Sequence, residues 1–263
     1  MIRALLVGVA IYIAFAGIVL VASAKVKKSG ARPADAPPPP RVLMIGDSLS
    51  VGPFGEAVQN HLKAKLNTDQ VFAYASCGSS PENWLAGEKD FVTKCGYREN
   101  TPGHAIFIDF NNGHRPAPTR TPKVESLVGK HTPTIVVVQQ GTNWMDRNLS
   151  DGEINSYIDR FVRAARGGGQ RKLIWITPPD SSKFRGARQN RVQGLLRDAA
   201  GRDGFQIINS RTYTHYRPGV TGGDGIHYNS AASTEWADFV NGALDDKLES
   251  PVTVKRARIA AGD

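Results

Sequence analysis

Several kinds of chemistry are missing from this sequence. His61, His104, His114, His131 and His215 fall at no spacing that would gather ligands around an ion. No metal site and no cofactor are therefore expected. No stripe of basic residues interleaved with aromatics runs along the chain, so nucleic acid is not an expected partner. No internal repeat is found, which leaves out solenoids and propellers. Cysteine occurs only twice, at Cys77 and Cys95. In an exported chain such a pair reads as a disulfide, and in a cytosolic one as two buried thiols.

What is present is ordinary for a globular protein. Of the 263 residues, 40% are hydrophobic and 22% charged. That is enough for one good-sized core and one domain. Lys and Arg number 33 against 24 Asp and Glu, a net charge of +9. This favours an anionic partner or reflects a basic proteome.

The chain divides by composition. Residues 4–24 carry no charge and are long enough to span a bilayer. Arg3 precedes this run, and Ala22-Ser23-Ala24 closes it with the small-x-small pattern of a signal peptidase site. The segment reads as a signal peptide or an N-terminal transmembrane anchor, with inner-membrane association in the second case. Lys25, Lys27 and Lys28 make the far flank the more positive one, which argues against export by the positive-inside rule. Export is still expected, with the domain on the periplasmic or extracellular side, tethered or secreted. Residues 25–40 form a basic linker ending in four prolines, an extended spacer with no core of its own. Residues 41–249 form the folded domain, and 250–263 a basic tail.

Five short apolar runs follow the linker: Val42–Ile45, Val71–Ala75, Ile135–Val138, Leu173–Ile176 and Phe205–Ile208. They are continuous rather than alternating, as strands buried on both faces should be. Helical patterns cover Phe54–Leu66, Ile154–Ala165, Arg188–Ala200 and Ala231–Leu248. Ser150 and Glu153 mark the start of the second, and Gly167-Gly168-Gly169 its stop. Strand–helix alternation predicts an α/β protein with a parallel five-stranded sheet between two helical layers. Residues 77–133 are rich in Gly, Pro, Asn and His and read as an insertion over one sheet edge. Insertions of this length are usually lids or binding loops. This one has no continuous apolar stretch.

The residues after each strand carry the chemistry. The first strand stops at Gly46, and Ser48 follows; Gly78 follows the second, Gly141-Thr142-Asn143 the third, and Asp224-Gly225-Ile226-His227 the fifth. In a parallel sheet these ends share one edge. A hydroxyl, a base, an acid to orient the base, a side-chain amide and a glycine N–H are the parts of acyl transfer through a serine nucleophile. Asp47 reads as structural, bonding within the turn.

These motifs resemble the SGNH hydrolases, the GDSL esterase/lipase family. Gly46-Asp47-Ser48-Leu49 matches the nucleophile block, Gly78 the second block, Gly141-Thr142-Asn143 the third, and Asp224-Gly225-Ile226-His227 the last. The usual third block reads Gly-x-Asn-Asp, and here Trp144 stands for that Asp. The resemblance covers residues 41–248 and implies a flavodoxin-like α/β/α sandwich. It also implies that Ser48 is the nucleophile, with Asp224 and His227 completing a triad. Ser48 and Gly78 N–H groups and the Asn143 amide would form the oxyanion hole. A Cys77–Cys95 bridge would pin the loop that aims Gly78.

Trp84 and Trp144 lie near these blocks and are candidates for stacking on a sugar, with core packing the alternative. Trp175 reads as core. Lys183, Arg185, Arg188 and Arg191 follow the fourth strand and read as a solvated helix start or, less favoured, as contacts to an anionic substrate. The expected partner is an acylated polysaccharide or a small ester. The leading expectation is an esterase acting on O-acetyl groups of a wall polymer such as peptidoglycan. Rival readings are a lysophospholipase or thioesterase-type lipid esterase, a polysaccharide O-acyltransferase, and a non-catalytic envelope-binding module.

Overall fold

The structure is a computed structural model, and it describes residues 38–109, 114–169 and 171–250. The expected N-terminal segment, most of the linker and the basic tail beyond Ser250 lie outside the described residues. Among the described residues no helix is long and apolar enough to cross a membrane.

The chain runs β1 (Val42–Gly46), α1 (Ser48–Val51), α2 (Pro53–Leu66), β2 (Val71–Ser76), a 3-10 turn (Pro81–Trp84) and β3 (Val92–Thr93). It continues with β4 (Tyr97–Thr101), β5 (His104–Ile108), β6 (Thr119–Arg120), α3 (Val124–His131), β7 (Ile135–Gln139) and a second 3-10 turn (Thr142–Asp146). Then follow α4 (Asp151–Arg166), β8 (Lys172–Ile176), α5 (Gly186–Asp203), β9 (Gln206–Ile208), a third 3-10 turn (Ser210–Thr212) and α6 (Ser230–Glu249).

Strands β2, β1, β7, β8 and β9 lie side by side and parallel. These are the five apolar runs of the sequence, in the flavodoxin-like order. Alternate side chains feed two cores. Leu43, Ile45, Val136, Val138 and Trp175 pack with residues of α3, α4 and α5, and Val42, Met44, Val137 and Ile174 pack with α2 and α6. Burial on both faces is why these strands read as continuous apolar runs.

The 77–133 segment differs from the expectation. It adds β4 and β5 as an antiparallel hairpin beside β2, so the sheet has seven strands and is mixed. It also supplies the small β3–β6 ribbon and the crossover helix α3. Polar residues hid the hairpin. Arg98 and Asn100 face α2, where the Arg98 guanidinium donates to Gln59 Oε1 and the Gln59 amide donates to the Asn100 carbonyl. The two cysteines are bonded, with Cα atoms 5.5 Å apart. The expected start of α4 carries a capping box: Ser150 Oγ accepts from the Glu153 N–H, and the Glu153 carboxylate accepts from the Ser150 N–H.

Candidate active site

Glycine is required at position 46 by close packing. A Cβ there would lie 2.2 Å from Ser50 Cβ, because α1 folds back at once over the end of β1. Asp47 caps that turn, its Oδ1 accepting the Leu49 N–H at 3.0 Å. Capping by a short polar side chain stabilises such a turn by about 1 kcal/mol. The result is Ser48 at the first position of α1, on the C-terminal edge of the sheet.

His227 comes from the loop before α6. Its Nε2 stands 2.9 Å from Ser48 Oγ, and its Nδ1 stands 2.5 Å from Asp224 Oδ2. The second carboxylate oxygen of Asp224 accepts the backbone N–H groups of Ile226 and His227 at 2.9 and 2.8 Å. Partial burial pushes the Asp224 carboxyl up, but the His227 side chain and these two N–H groups outweigh it and hold it down to about 2. An ionised acid facing Nδ1 fixes the tautomer in which Nε2 is free to accept the serine proton. Ser48, Asp224 and His227 are thus brought together as the sequence predicts.

Two residues outside the motifs build the histidine loop. The Tyr216 hydroxyl accepts from the Gly225 N–H at 3.0 Å and donates to the His227 carbonyl at 3.2 Å. Ser181 Oγ donates to the Gly225 carbonyl at 2.5 Å. Gly222 is enclosed by the same loop, where a Cβ would meet the His227 carbonyl oxygen at 2.1 Å. Neither Tyr216 nor Ser181 carries a signal in the sequence, since each acts through one hydroxyl aimed at a distant backbone.

The expected oxyanion donors lie on loops flanking Ser48. Gly46 pairs in register with Ala75 of β2 on one side and Gln139 of β7 on the other. Gly78 and Asn143 therefore emerge from the strands on either side of the nucleophile turn. Gly78 has φ +78°, in the region that favours glycine. Asn143 Nδ2 donates to the Ser79 carbonyl at 2.8 Å, tying the two loops together and leaving its second hydrogen for an incoming oxygen. Ser79 Oγ in turn accepts from Trp84 Nε1 and Gln140 Nε2.

That network corrects one expectation. Trp84 is 0% and Trp144 1% exposed, so neither offers a face to a sugar. Their indole N–H groups bond to Ser79 Oγ and to Glu82 Oε2. Both rings are scaffold beneath the oxyanion loops, near the site in sequence because they support it. Trp175 is core, as expected. The basic cluster after β8 is also structural in part. Arg188 donates to the Met145 carbonyl, and Arg191 bonds Asp151 and the Leu149 carbonyl.

Asp47 is wholly buried. Burial pushes its carboxyl up to about 6, against the opposing Leu49 N–H. The Thr142 hydroxyl and Gln139 amide lie close enough to oppose the shift as well. Neither makes a well-aligned hydrogen bond, and Oδ2 has no such partner among the described residues.

A cleft of about 420 Å3 opens beside Ser48 and His227. Leu49, Val51 and Pro53 form an apolar wall, and the Cys77–Cys95 bridge, Asp109, Tyr228 and Ser233 complete it.

No protein-family model and no curated protein matches the chain. Solved structures do match in shape. TesA shares 15% identity over 79% of this chain and 99% of its own, with a TM-score of 0.57. The psychrotrophic esterase EstA from Pseudoalteromonas sp., solved with monoethylphosphonate as inhibitor, gives 12%, 80%, 99% and 0.55. Est24, a carbohydrate acetylesterase from Sinorhizobium meliloti, gives 14%, 78%, 99% and 0.52. The order of the five parallel strands, the helices on both faces and these likenesses lead to one conclusion: the chain has the SGNH hydrolase fold.

Proposed function

We propose that this protein is a serine ester hydrolase that removes O-acyl groups, acetyl foremost, from a cell-wall polysaccharide such as peptidoglycan. The observation that carries the reading is the unbroken relay from Ser48 Oγ through His227 to Asp224, opening onto a cleft. Ser48 Oγ attacks the ester carbonyl while its proton passes to His227 Nε2. The N–H groups of Ser48 and Gly78 and the Asn143 amide receive the developing oxyanion. Collapse breaks the bond to the alkoxy oxygen, and His227 returns the proton to the departing sugar hydroxyl. Water, deprotonated by His227, then cleaves the acyl–Ser48 ester, releasing the acid and restoring the hydroxyl.

The choice of a short acyl group rests on the cleft. Its apolar wall is brief, and Asp109 and Ser233 share the lining, a poor environment for a long alkyl chain. The likeness to a carbohydrate acetylesterase favours a sugar as the alcohol. An envelope location is supported by the Cys77–Cys95 bridge, since disulfides persist in oxidising compartments. The uncharged run over residues 4–24 and the proline-rich linker agree with a tethered or exported domain.

The test uses the full chain with p-nitrophenyl acetate and, separately, with O-acetylated peptidoglycan. Acetate released from both by wild type and from neither by Ser48→Ala is the expected result. Turnover of the small ester alone would remove the polysaccharide from the proposal. Retained turnover in Ser48→Ala would remove the mechanism.

A further inference from the structure

A second cavity lies behind the catalytic histidine. It holds about 260 Å3 and is lined by Tyr213, Arg217, Tyr228, Glu235, Trp236 and Phe239, among others. Tyr228 lines both this cavity and the catalytic cleft. The two spaces are therefore neighbours that share one lining residue, the one that directly follows His227.

The lining has a particular chemistry. Tyr213 is 64% exposed. It is nonetheless fixed, because its ring stacks on Phe239 with centroids 3.3 Å apart. A ring held on one side and open elsewhere is a platform with little entropy left to lose. Trp236 is 2% exposed, and its Nε1 has no hydrogen-bond partner among the described residues. That N–H is itself buried, so Trp236 offers the cavity ring surface and not a donor. Arg217 and Glu235 line the same cavity, and neither forms an ion pair among the described residues. A rigid apolar face, a free guanidinium and a free carboxylate in one small cavity match one kind of ligand. A pyranose ring has an apolar CH face and a rim of hydroxyls that both donate and accept.

We propose that this cavity is a sugar subsite, which binds a ring of the polymer next to the one whose ester is cleaved. The ring lies on Tyr213. Its hydroxyls accept from Arg217 and donate to Glu235. In this arrangement Tyr228 separates the reacting sugar from its neighbour. The inference rests on the polysaccharide reading above for its role in turnover, but binding itself is independent of the ester.

Two measurements keep these apart. In the first, Ser48→Ala full-length protein is titrated with tetramers of β-1,4-linked N-acetylglucosamine and of β-1,4-linked xylose, neither carrying an ester. Tryptophan fluorescence is the readout. A saturable change with at least one tetramer, weakened about fivefold to tenfold by Tyr213→Ala, is expected from the loss of one aromatic contact. Arg217→Ala, an exposed change that spares the stacked rings, should weaken it similarly. No change with either tetramer, or changes untouched by both substitutions, would overturn the subsite. In the second, Tyr213→Ala and Arg217→Ala in the otherwise native chain should leave kcat/KM for p-nitrophenyl acetate within about twofold. On O-acetylated peptidoglycan KM should rise with little change in kcat. An equal loss on both substrates would show a fold defect and would also overturn it. Failure of ester turnover with tetramer binding intact would sink the esterase reading and leave the subsite standing.

Discussion

Replacing Asp47 by asparagine isolates the cost of a carboxylate buried directly behind the nucleophile. Asn keeps the shape and the oxygen that accepts the Leu49 N–H, but it never ionises. In the native protein, burial moves the Asp47 carboxyl from 3.8 up to about 6. At about 1.4 kcal/mol per pH unit, that displacement corresponds to about 3 kcal/mol. The sign follows from proton binding. Between pH 3.8 and about 6 the folded protein holds a proton that the unfolded chain has released. Stability therefore falls as pH rises through that window and stays lower above it. Asp47→Asn lacks this loss. Urea unfolding of wild type and variant at pH 8 and pH 4 measures it. The variant's stability relative to wild type should be greater at pH 8 than at pH 4 by about 2.5 kcal/mol, because a small part of the loss has already occurred at pH 4. A difference equal at the two pH values would refute the buried charge. A variant that loses ground at pH 8 would mean that the ionised carboxylate is better satisfied than the structure indicates.

Other perturbations have equally definite outcomes. Asn143→Ala should lower kcat for p-nitrophenyl acetate by about 10² to 10³, the usual loss for one oxyanion donor, with thermal unfolding recorded alongside. Tyr216→Phe removes the two bonds its hydroxyl makes to the histidine loop, leaving that of Ser181, and should lower kcat about tenfold by misplacing His227; steady-state kinetics with an unchanged far-ultraviolet spectrum is the check. Cys77→Ser with Cys95→Ser opens a loop of 18 residues and should cost about 3 kcal/mol of stability in urea. His131 is stacked on Phe72 and bonded to the Tyr74 hydroxyl, and burial, with the nearby Lys130 and Arg41 charges, drives it down to about 4. Its contribution is complete above pH 6.5 and is lost as pH falls towards 4, about 3 kcal/mol in all. This opposes the Asp47 trend, so the stability of His131→Phe should rise more steeply on acidification than that of wild type, as read by urea unfolding at pH 8 and pH 4.

The parallel sheet was legible because Val42–Ile45, Ile135–Val138 and their like are apolar on both faces. No arrangement but a covered sheet suits such runs. The relay was legible because its parts sit in short motifs, Ser48 two residues past Gly46 at the end of β1 and His227 three past Asp224 in the loop before α6. The β4–β5 hairpin was not. Arg98, Glu99, Asn100 and His104 look like a loop, and their pairing is set by the neighbouring edge of β2 and by Gln59 of α2. Local pattern carries no record of a distant edge. The misreading of Trp84 and Trp144 has a related cause. Proximity in sequence to Gly78 and Asn143 does not reveal which side of the loop a ring takes, and each indole found a buried acceptor. Tyr228 was readable in principle, as the residue directly after His227.

The central claim is that Ser48 is a nucleophile activated by His227. Intact-mass spectrometry of the full chain after treatment with diethyl p-nitrophenyl phosphate tests it most directly. A single diethylphosphoryl adduct, mapped by peptide digestion to Ser48 and absent from Ser48→Ala and His227→Ala, is the predicted result. No adduct on the wild-type chain, or one placed on another residue with ester turnover intact in Ser48→Ala, would contradict it.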